Sequence, residues 1–269
     1  MMDNTTTSVS RRFSSLERLY GEKATERLAQ THVFVAGVGG VGSWVVESLA
    51  RSGIGQLTIA DLDHVAESNI NRQIHALSST IGKAKIEAMA ERIREINPHC
   101  QLNLIDDFID ENNVKDYLAQ YRPDFLLDCT DQVKAKIAML LEARRHNIRF
   151  IMCGGAGGKN DVFSLRHTDL AYVKNDNLLG RIRQILRKQH QYPKGSDSKG
   201  RALKRPPKMG VDCVWYDQEA VLPDLWVNPE HAPQGLSCAG YGSSVAVTAS
   251  MGMAVSGLVM NYLFKSSCA

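Results

Sequence analysis

The stretch VFVAGVGGVGSWVVESLARSGIGQLTIADLD, residues 33–63, constrains the fold more than any other part of the chain. It opens with a short apolar run, Val33, Phe34, Val35 and Ala36, of the length of a buried strand. Gly37, Gly39, Gly40 and Gly42 follow, and Val41, Trp44, Val45 and Leu49 recur at helical spacing. A second apolar run over residues 57–60 ends on Asp61. Strand, glycine loop, helix, strand and acid in this order build a nucleotide site. The glycines let the backbone approach a phosphate, and the helix N-terminus offers unpaired N–H groups and a positive dipole end. An acid about twenty residues beyond the loop is placed to reach a ribose. The pattern does not choose among NAD, FAD and ATP.

The alternation continues downstream. Apolar runs over 102–105, 125–129 and 149–153 read as strands, and 83–96, 114–121 and 133–146 as helices, with Ile137, Leu140 and Leu141 on one face of the last. Asn97-Pro98 and Arg122-Pro123 are stop signals. The expected class is α/β, a Rossmann-like, doubly wound, mostly parallel sheet. Ahead of it, residues 1–10 read as disordered and 16–29 as one helix. Behind it come a strand over 162–165, a basic helix over 178–188, a loop of mobile composition over 191–208, a strand over 211–216 and an irregular loop over 221–235. Residues 245–264 are uncharged and approach the length of a membrane span. Their Ala, Ser, Thr and Gly content, with Asn261 inside, favours a packed helix over membrane association, which stays as the weaker alternative.

Of 32 basic and 29 acidic residues, ten basic ones and only Asp197 among the acids lie between Arg181 and Lys208. The rest of the chain is left with 22 and 28, a net of −6. An adaptable basic segment in an acidic protein suits a phosphate backbone. Arg201, Lys204, Arg205 and Lys208 are its RNA-binding candidates, and Tyr192, Trp215 and Tyr216 its base-stacking ones. A solvated charge run is the plainer alternative. The six cysteines contain no C-x-x-C pair, so no zinc site is expected, and the polar N-terminus carries no secretory leader. Reduced thiols and a cytoplasmic location follow as expectations.

Three further segments carry a resemblance. Ser68-Asn69-Ile70-Asn71-Arg72-Gln73, Gly82-Lys83-Ala84-Lys85 and Asp128-Cys129-Thr130-Asp131 resemble the E1-like adenylating enzymes, the superfamily of ubiquitin-activating domains and of the ThiF and MoeB type enzymes. RLYG at 18–21, RQIHAL at 72–77, GGAGG at 154–158 and GVDCV at 210–214 resemble its branch of tRNA threonylcarbamoyladenosine dehydratases. The resemblance implies one E1-like domain over 1–269, with an N-terminal arm (1–30), a nucleotide-binding core (31–158) and a substrate-side extension (159–269). It implies ATP and Mg²⁺ as cofactors and leaves a monovalent cation open. By the same resemblance Gly37, Gly39, Gly40 and Gly42 hold phosphates, and Asp61 binds the ribose. Asn69 and Gln73 orient phosphate or metal waters, Arg72 and Lys85 stabilise charge as pyrophosphate leaves, and Asp131 holds the metal. The chemistry needs these types, because a carboxylate attacking a phosphate brings two anions together. The bland alternatives are a surface ion pair for Arg72 and a helix N-cap for Asp131.

The implied reaction is adenylation of the carboxylate of N6-threonylcarbamoyladenosine in a tRNA anticodon loop, followed by ring closure and loss of AMP. The alternatives are adenylation of the C-terminus of a small sulfur-carrier protein, and a non-adenylating nucleotide module. The chain departs from the superfamily in three ways. Phe13-Ser14-Ser15-Leu16 stands where a Tyr-x-Arg-Gln motif is common, so Arg12 or Arg18 is left to reach a nucleotide, including that of a neighbouring subunit. The zinc cysteines are absent. Cys213 and Cys238 are the nearest counterparts of a thioester cysteine, with a buried thiol the plainer reading of each. The resemblance also implies a homodimer, and a cysteine desulfurase with its sulfur-acceptor protein as partners.

Overall fold

Seven short strands carry side chains that alternate between two apolar layers, as strands covered on both faces must. The computed structural model describes residues 5–222 and 241–264. The chain enters through α1 (Thr5–Tyr20) and α2 (Ala24–Ala29) and then forms β1 (His32–Ala36). Val33 and Val35 of β1 face one layer, Phe34 and Ala36 the other. There follow α3 (Gly42–Arg51), β2 (Gln56–Ala60), α4 (Lys85–Ile96), β3 (Gln101–Ile105), α5 (Val114–Tyr121) and β4 (Phe125–Asp128). The described chain closes with α6 (Val133–Arg145), β5 (Arg149–Cys153), β6 (Leu165–Asp169), α7 (Asn177–Gln189), β7 (Asp212–Tyr216) and α8 (Val245–Phe264).

The sheet order is β3-β2-β1-β4-β5-β7-β6. Every neighbouring pair is parallel except β6 with β7. Val33 stands opposite both Leu57 and Phe125, which places β1 at the centre. Helices α3, α4 and α8 cover one face through Val45, Leu49, Met89, Ile93, Val255 and Val259. Helices α5, α6 and α7 cover the other through Leu118, Met139, Leu140 and Ile182. From β1 the chain winds outward to β2 and β3, then returns to β4 on the opposite side. The crevice beyond the C-terminal ends of β1 and β4 is therefore the switch point where such sheets bind ligands.

Local corrections have local causes. The single helix expected over 16–29 is two, broken at Gly21, whose φ of +98° ends α1. The backbone is helical from Thr5, where disorder was expected. The strand expected over 162–165 starts later: Asp161 accepts from Phe163 N and turns residues 162–164 into a 3-10 turn before β6. The basic loop holds a turn of its own, with Asp197 accepting from Lys199 N and Arg201 N. Most of the irregular loop expected over 221–235, together with Cys238 and Cys268, lies outside the described residues.

Helix α8 is long and apolar enough to cross a membrane by length and composition. One side of it is engaged within the protein, while Val245 and Met253 are exposed. Met251, Val255 and Val259 are fully buried, and Ser256 Oγ donates to Val45 O at 3.2 Å. Gly252 lets α8 meet α3 closely, since a Cβ there would lie 2.7 Å from Val41 O and 2.8 Å from Trp44 Cβ.

Candidate active site

The glycine loop divides its labour. Gly37 has φ +83°, and a Cβ on it would press the Cys129 carbonyl at 3.1 Å. Gly42 is buried, and a Cβ there would overlap the Gly37 carbonyl. Gly42 thus closes the turn and is not among the residues whose surface lines the cleft. Gly39 and Gly40 do line it. No side chain caps the N-terminus of α3. Ser43, Trp44 and Val45 N donate to the Gly39 and Val41 carbonyls, so what the helix offers a ligand is its dipole end and the N–H groups of the loop that precedes them.

Beyond β2, Asp61 ties the loop in place. Its Oδ2 accepts from Val38 N at 2.8 Å and its Oδ1 from Asp63 N at 2.9 Å. Burial raises its pKa against the pull of Lys85 and these N–H donors. Lys85 Nζ lies 3.9 Å from Asp61 and 2.6 Å from Asp63. The segment before α4 supplies the rest of this wall. Asn69 Oδ1 accepts from Ala66 N at 3.0 Å and closes a 3-10 turn. Arg72 donates to Ser68 O at 2.7 Å and to Asn71 Oδ1 at 3.0 Å. Trp44 Nε1 and Thr248 Oγ1 both bond Arg72 O, which anchors the arginine backbone to α3 and α8. Arg72 makes no ion pair among the described residues. Gln73 is buried, and its Oε1 has no partner among the described residues.

The opposite wall comes from the ends of β4 and β5. Asp128 and Lys136 form a fully buried ion pair at 3.0 Å. Lys136 also donates to Cys153 O at 2.8 Å, and Asp128 accepts from Thr130 N and Oγ1. Burial alone would lower the Lys136 pKa; the Asp128 carboxylate outweighs it and holds the pKa up. The residue that starts α6 is Gln132, not Asp131. Asp131 is an exposed carboxylate on the cleft wall and no helix cap.

Together these walls enclose a cleft of about 680 Å³, enough for a nucleoside triphosphate. Gly37, Gly39, Gly40, Asp61, Asn69, Arg72, Gln73, Lys85 and Asp131 all line it. Two cations face three carboxylates, Asp61, Asp63 and Asp131. Mg²⁺ asks for few protein oxygens and takes the remainder from water and phosphate. The Asp131 carboxylate and the unpartnered Gln73 Oε1 fit that demand.

The ThiF family profile matches residues 11–263. The chain belongs to the ThiF family. A tRNA threonylcarbamoyladenosine dehydratase of Haemophilus influenzae is 41% identical over 258 residues, 95% of each chain. The crystal structure of the Escherichia coli enzyme of that name in complex with ATP superposes with a TM-score of 0.82 at 36% identity, covering 99% of this chain and 98% of the other. Its complex with AMP superposes equally well, at 0.82 and 36%, over 100% and 99%. These are adenylation ligands in a fold that this ThiF-family chain shares over its whole length.

Other expected site residues lie elsewhere in this ThiF-family fold. Arg18 is exposed on α1 and does not line the cleft. Arg12 is committed to the Glu95 and Ile96 carbonyls at the end of α4. Arg201, Lys204, Arg205 and Lys208 are exposed on the loop after α7, and Arg201 pairs with Asp197 at 2.8 Å. The stacking aromatics are a correction. Trp215 and Tyr216 are 2% and 0% exposed, one on each face of β7, and Tyr192 is buried under Arg144. None presents a ring to solvent. Cys213 is fully buried and its thiol pKa is pushed well up by burial, which removes it as a thioester nucleophile.

Sequence reasoning missed Asp63, Lys136 and His75. The first had a signal, a second carboxylate two residues after Asp61. Lys136 had a weaker one, a charge among the apolar positions of α6. His75 had none: its burial depends on how residues 64–83 fold over α4.

Proposed function

We propose that this chain adenylates the carboxylate of N6-threonylcarbamoyladenosine in tRNA and then dehydrates it to a cyclic form. The observation that carries this reading is a triphosphate-sized cleft lined by Arg72, Lys85 and the glycine loop that leads into an uncapped helix N-terminus. The match to dehydratases over nearly the whole chain names the substrate class. Gly39 and Gly40 expose backbone to the phosphates, and Asp61 binds the ribose. Arg72 and Lys85 neutralise the charge that builds on the leaving pyrophosphate. Gln73 and Asp131 would hold Mg²⁺, which shields the phosphates when bound. The residues over 31–158 serve the nucleotide and those over 159–269 the substrate, as parts of one domain.

A carboxylate oxygen attacks the α-phosphorus, and the bond to pyrophosphate breaks. A neighbouring nucleophilic atom of the threonylcarbamoyl group then attacks the activated acyl carbon and loses its proton. AMP departs with the former carboxylate oxygen. Ring closure is intramolecular, so proximity supplies much of its rate without a nucleophilic residue. The exposed basic loop docks the tRNA. Two copies of the chain form a dimer in which Arg18 reaches the neighbouring cleft, and the enzyme works in the cytoplasm. A cysteine desulfurase and its sulfur acceptor are its further partners.

The test is incubation with ATP, Mg²⁺ and tRNA with or without the modification, followed by nucleoside mass analysis. Loss of one water from the modified nucleoside, matched by AMP, is expected. AMP and pyrophosphate with an unchanged nucleoside would move the substrate to the C-terminal carboxylate of a sulfur-carrier protein, which shares the ATP half-site.

A further inference from the structure

Beside the nucleotide cleft lies a second chamber of about 450 Å³. Asp131, Gly155, Gly157, Leu178 and Tyr241 line both spaces, so the two are contiguous. The far side of the chamber is built from Lys159, the residues that open α7, and Glu219.

Its polar groups are not equally committed. Asp176 Oδ1 accepts from Leu179 N and its Oδ2 from Gly155 N, both at 2.9 Å, so this carboxylate is occupied as the cap of α7. Lys159 is only 5% exposed. Its Nζ donates to Asn175 O at 2.9 Å and to the Gln218 carbonyl. An ammonium carries three donors, and the third has no partner among the described residues. Burial lowers the Lys159 pKa, opposed by Asp176, Glu219 and Asp217. Glu219 makes no hydrogen bond among the described residues. The wall thus offers one unused donor, Lys159, and one uncommitted carboxylate, Glu219, with Asp131, the proposed metal ligand, at the mouth shared with the cleft.

Charge orients whatever spans the two spaces. The chamber holds three carboxylates, Asp131, Asp176 and Glu219, against one ammonium. A substrate carboxylate is repelled there and attracted to Arg72 and Lys85 in the cleft. The threonylcarbamoyl group has the matching polarity. Its anionic end must meet the α-phosphate, and what remains is uncharged: the threonyl hydroxyl and methyl, and a ureido group with two N–H donors and one carbonyl acceptor.

We infer that this chamber is the acyl-side subsite and reads the ureido linkage, Lys159 donating to its carbonyl and Glu219 accepting from the N–H next to the threonyl Cα. This assignment rests on the adenylation reading above. It places the scissile carboxyl at the mouth the two spaces share, beside Asp131.

The test pairs one substrate change with one protein change. Anticodon stem-loops are made with the natural N6-threonylcarbamoyl group and with an analogue in which that N–H is replaced by CH₂. The full-length enzyme and Glu219→Ala are assayed on both for pyrophosphate release in single turnovers, which reads adenylation before ring closure, and ATP binding is measured by equilibrium dialysis. In the wild type the analogue loses about tenfold in kcat/KM, the size of one hydrogen bond to a charged group. Glu219→Ala loses about the same on the natural substrate, loses nothing further on the analogue, and binds ATP as before. Losses that simply multiply, or a Glu219→Ala enzyme with unchanged kcat/KM, overturn the subsite. Lys159→Met, checked for folding by thermal unfolding, should raise KM for both substrates alike; an unchanged KM in the folded variant overturns the role of Lys159. Failure of the wild type to turn over the natural stem-loop would instead strike the proposed reaction.

Discussion

Neither ring nitrogen of His75 has a hydrogen-bond partner among the described residues in the interior where it sits. Burial, reinforced by the charges of Lys85 and Arg92, lowers its pKa from 6.5 to about 4. Between those values the unfolded chain holds a proton that the folded one rejects. Acidification therefore costs stability, by up to about 1.4 kcal/mol per pH unit, and the effect is absent above about pH 6.5. Urea unfolding at pH 7.5 and pH 5 should show a loss in the wild type that is smaller in His75→Leu; equal losses would exclude His75 as the cause. The Asp128–Lys136 pair makes a second prediction. Lys136→Met strands a buried carboxylate and should cost about 3–5 kcal/mol, while adding Asp128→Leu should recover part of that loss. In the proposed reaction Arg72 and Lys85 stabilise the leaving pyrophosphate. Arg72→Ala or Lys85→Ala should lower kcat for AMP formation by about 10²–10³, read in single turnovers. A change confined to KM would assign the residue to ground-state binding alone.

At the scale of elements, two helical glycines of similar sequence context differ in what surrounds them. Gly252 of α8 is pressed against the backbone of α3, whereas a Cβ on Gly180 of α7 would meet nothing within 4 Å. Gly252→Val should separate the two helices and cost about 3 kcal/mol. Gly180→Ala should gain about 0.5–1 kcal/mol by restricting the unfolded chain. Urea midpoints measure both, and a tolerant Gly252 would mean that α8 does not depend on this close approach. The pairing of α8 with α3 also matters for the cleft. Ser243 and Thr248, at the head of α8, bond Asn71 and Arg72, so loosening α8 should weaken ATP binding as well as the fold.

Over the whole molecule, charge is segregated. The cleft lies at the switch point of the sheet, while Lys204, Arg205 and Lys208 stand exposed on a separate loop. Replacing these three with Ser should weaken tRNA binding and reduce the slope of log affinity against log salt by about 2. ATP binding in the same variant should be unchanged. An unaltered salt slope would remove the loop from the RNA interface.

What the sequence determined by itself was local in the chain. The alternation of strands and helices was legible because each element announces its own period. Gly37, Gly39 and Asp61 were legible because a glycine loop and an acid directly follow strands, whereas Arg72, Lys85 and Asp131 came only from the family resemblance; all six line one cleft. The tertiary structure alone decided which layer covers each face. Trp215 and Tyr216 read as adjacent aromatics available to a base, yet successive side chains of a strand point to opposite faces, and here both faces are covered. The same cause hid Lys136, whose burial depends on α6 packing beside β4 and β5. It also hid the second chamber, whose walls at Asp131, Lys159, Asp176 and Glu219 are separated along the chain and meet only when β5, α7 and the segment after β7 come together.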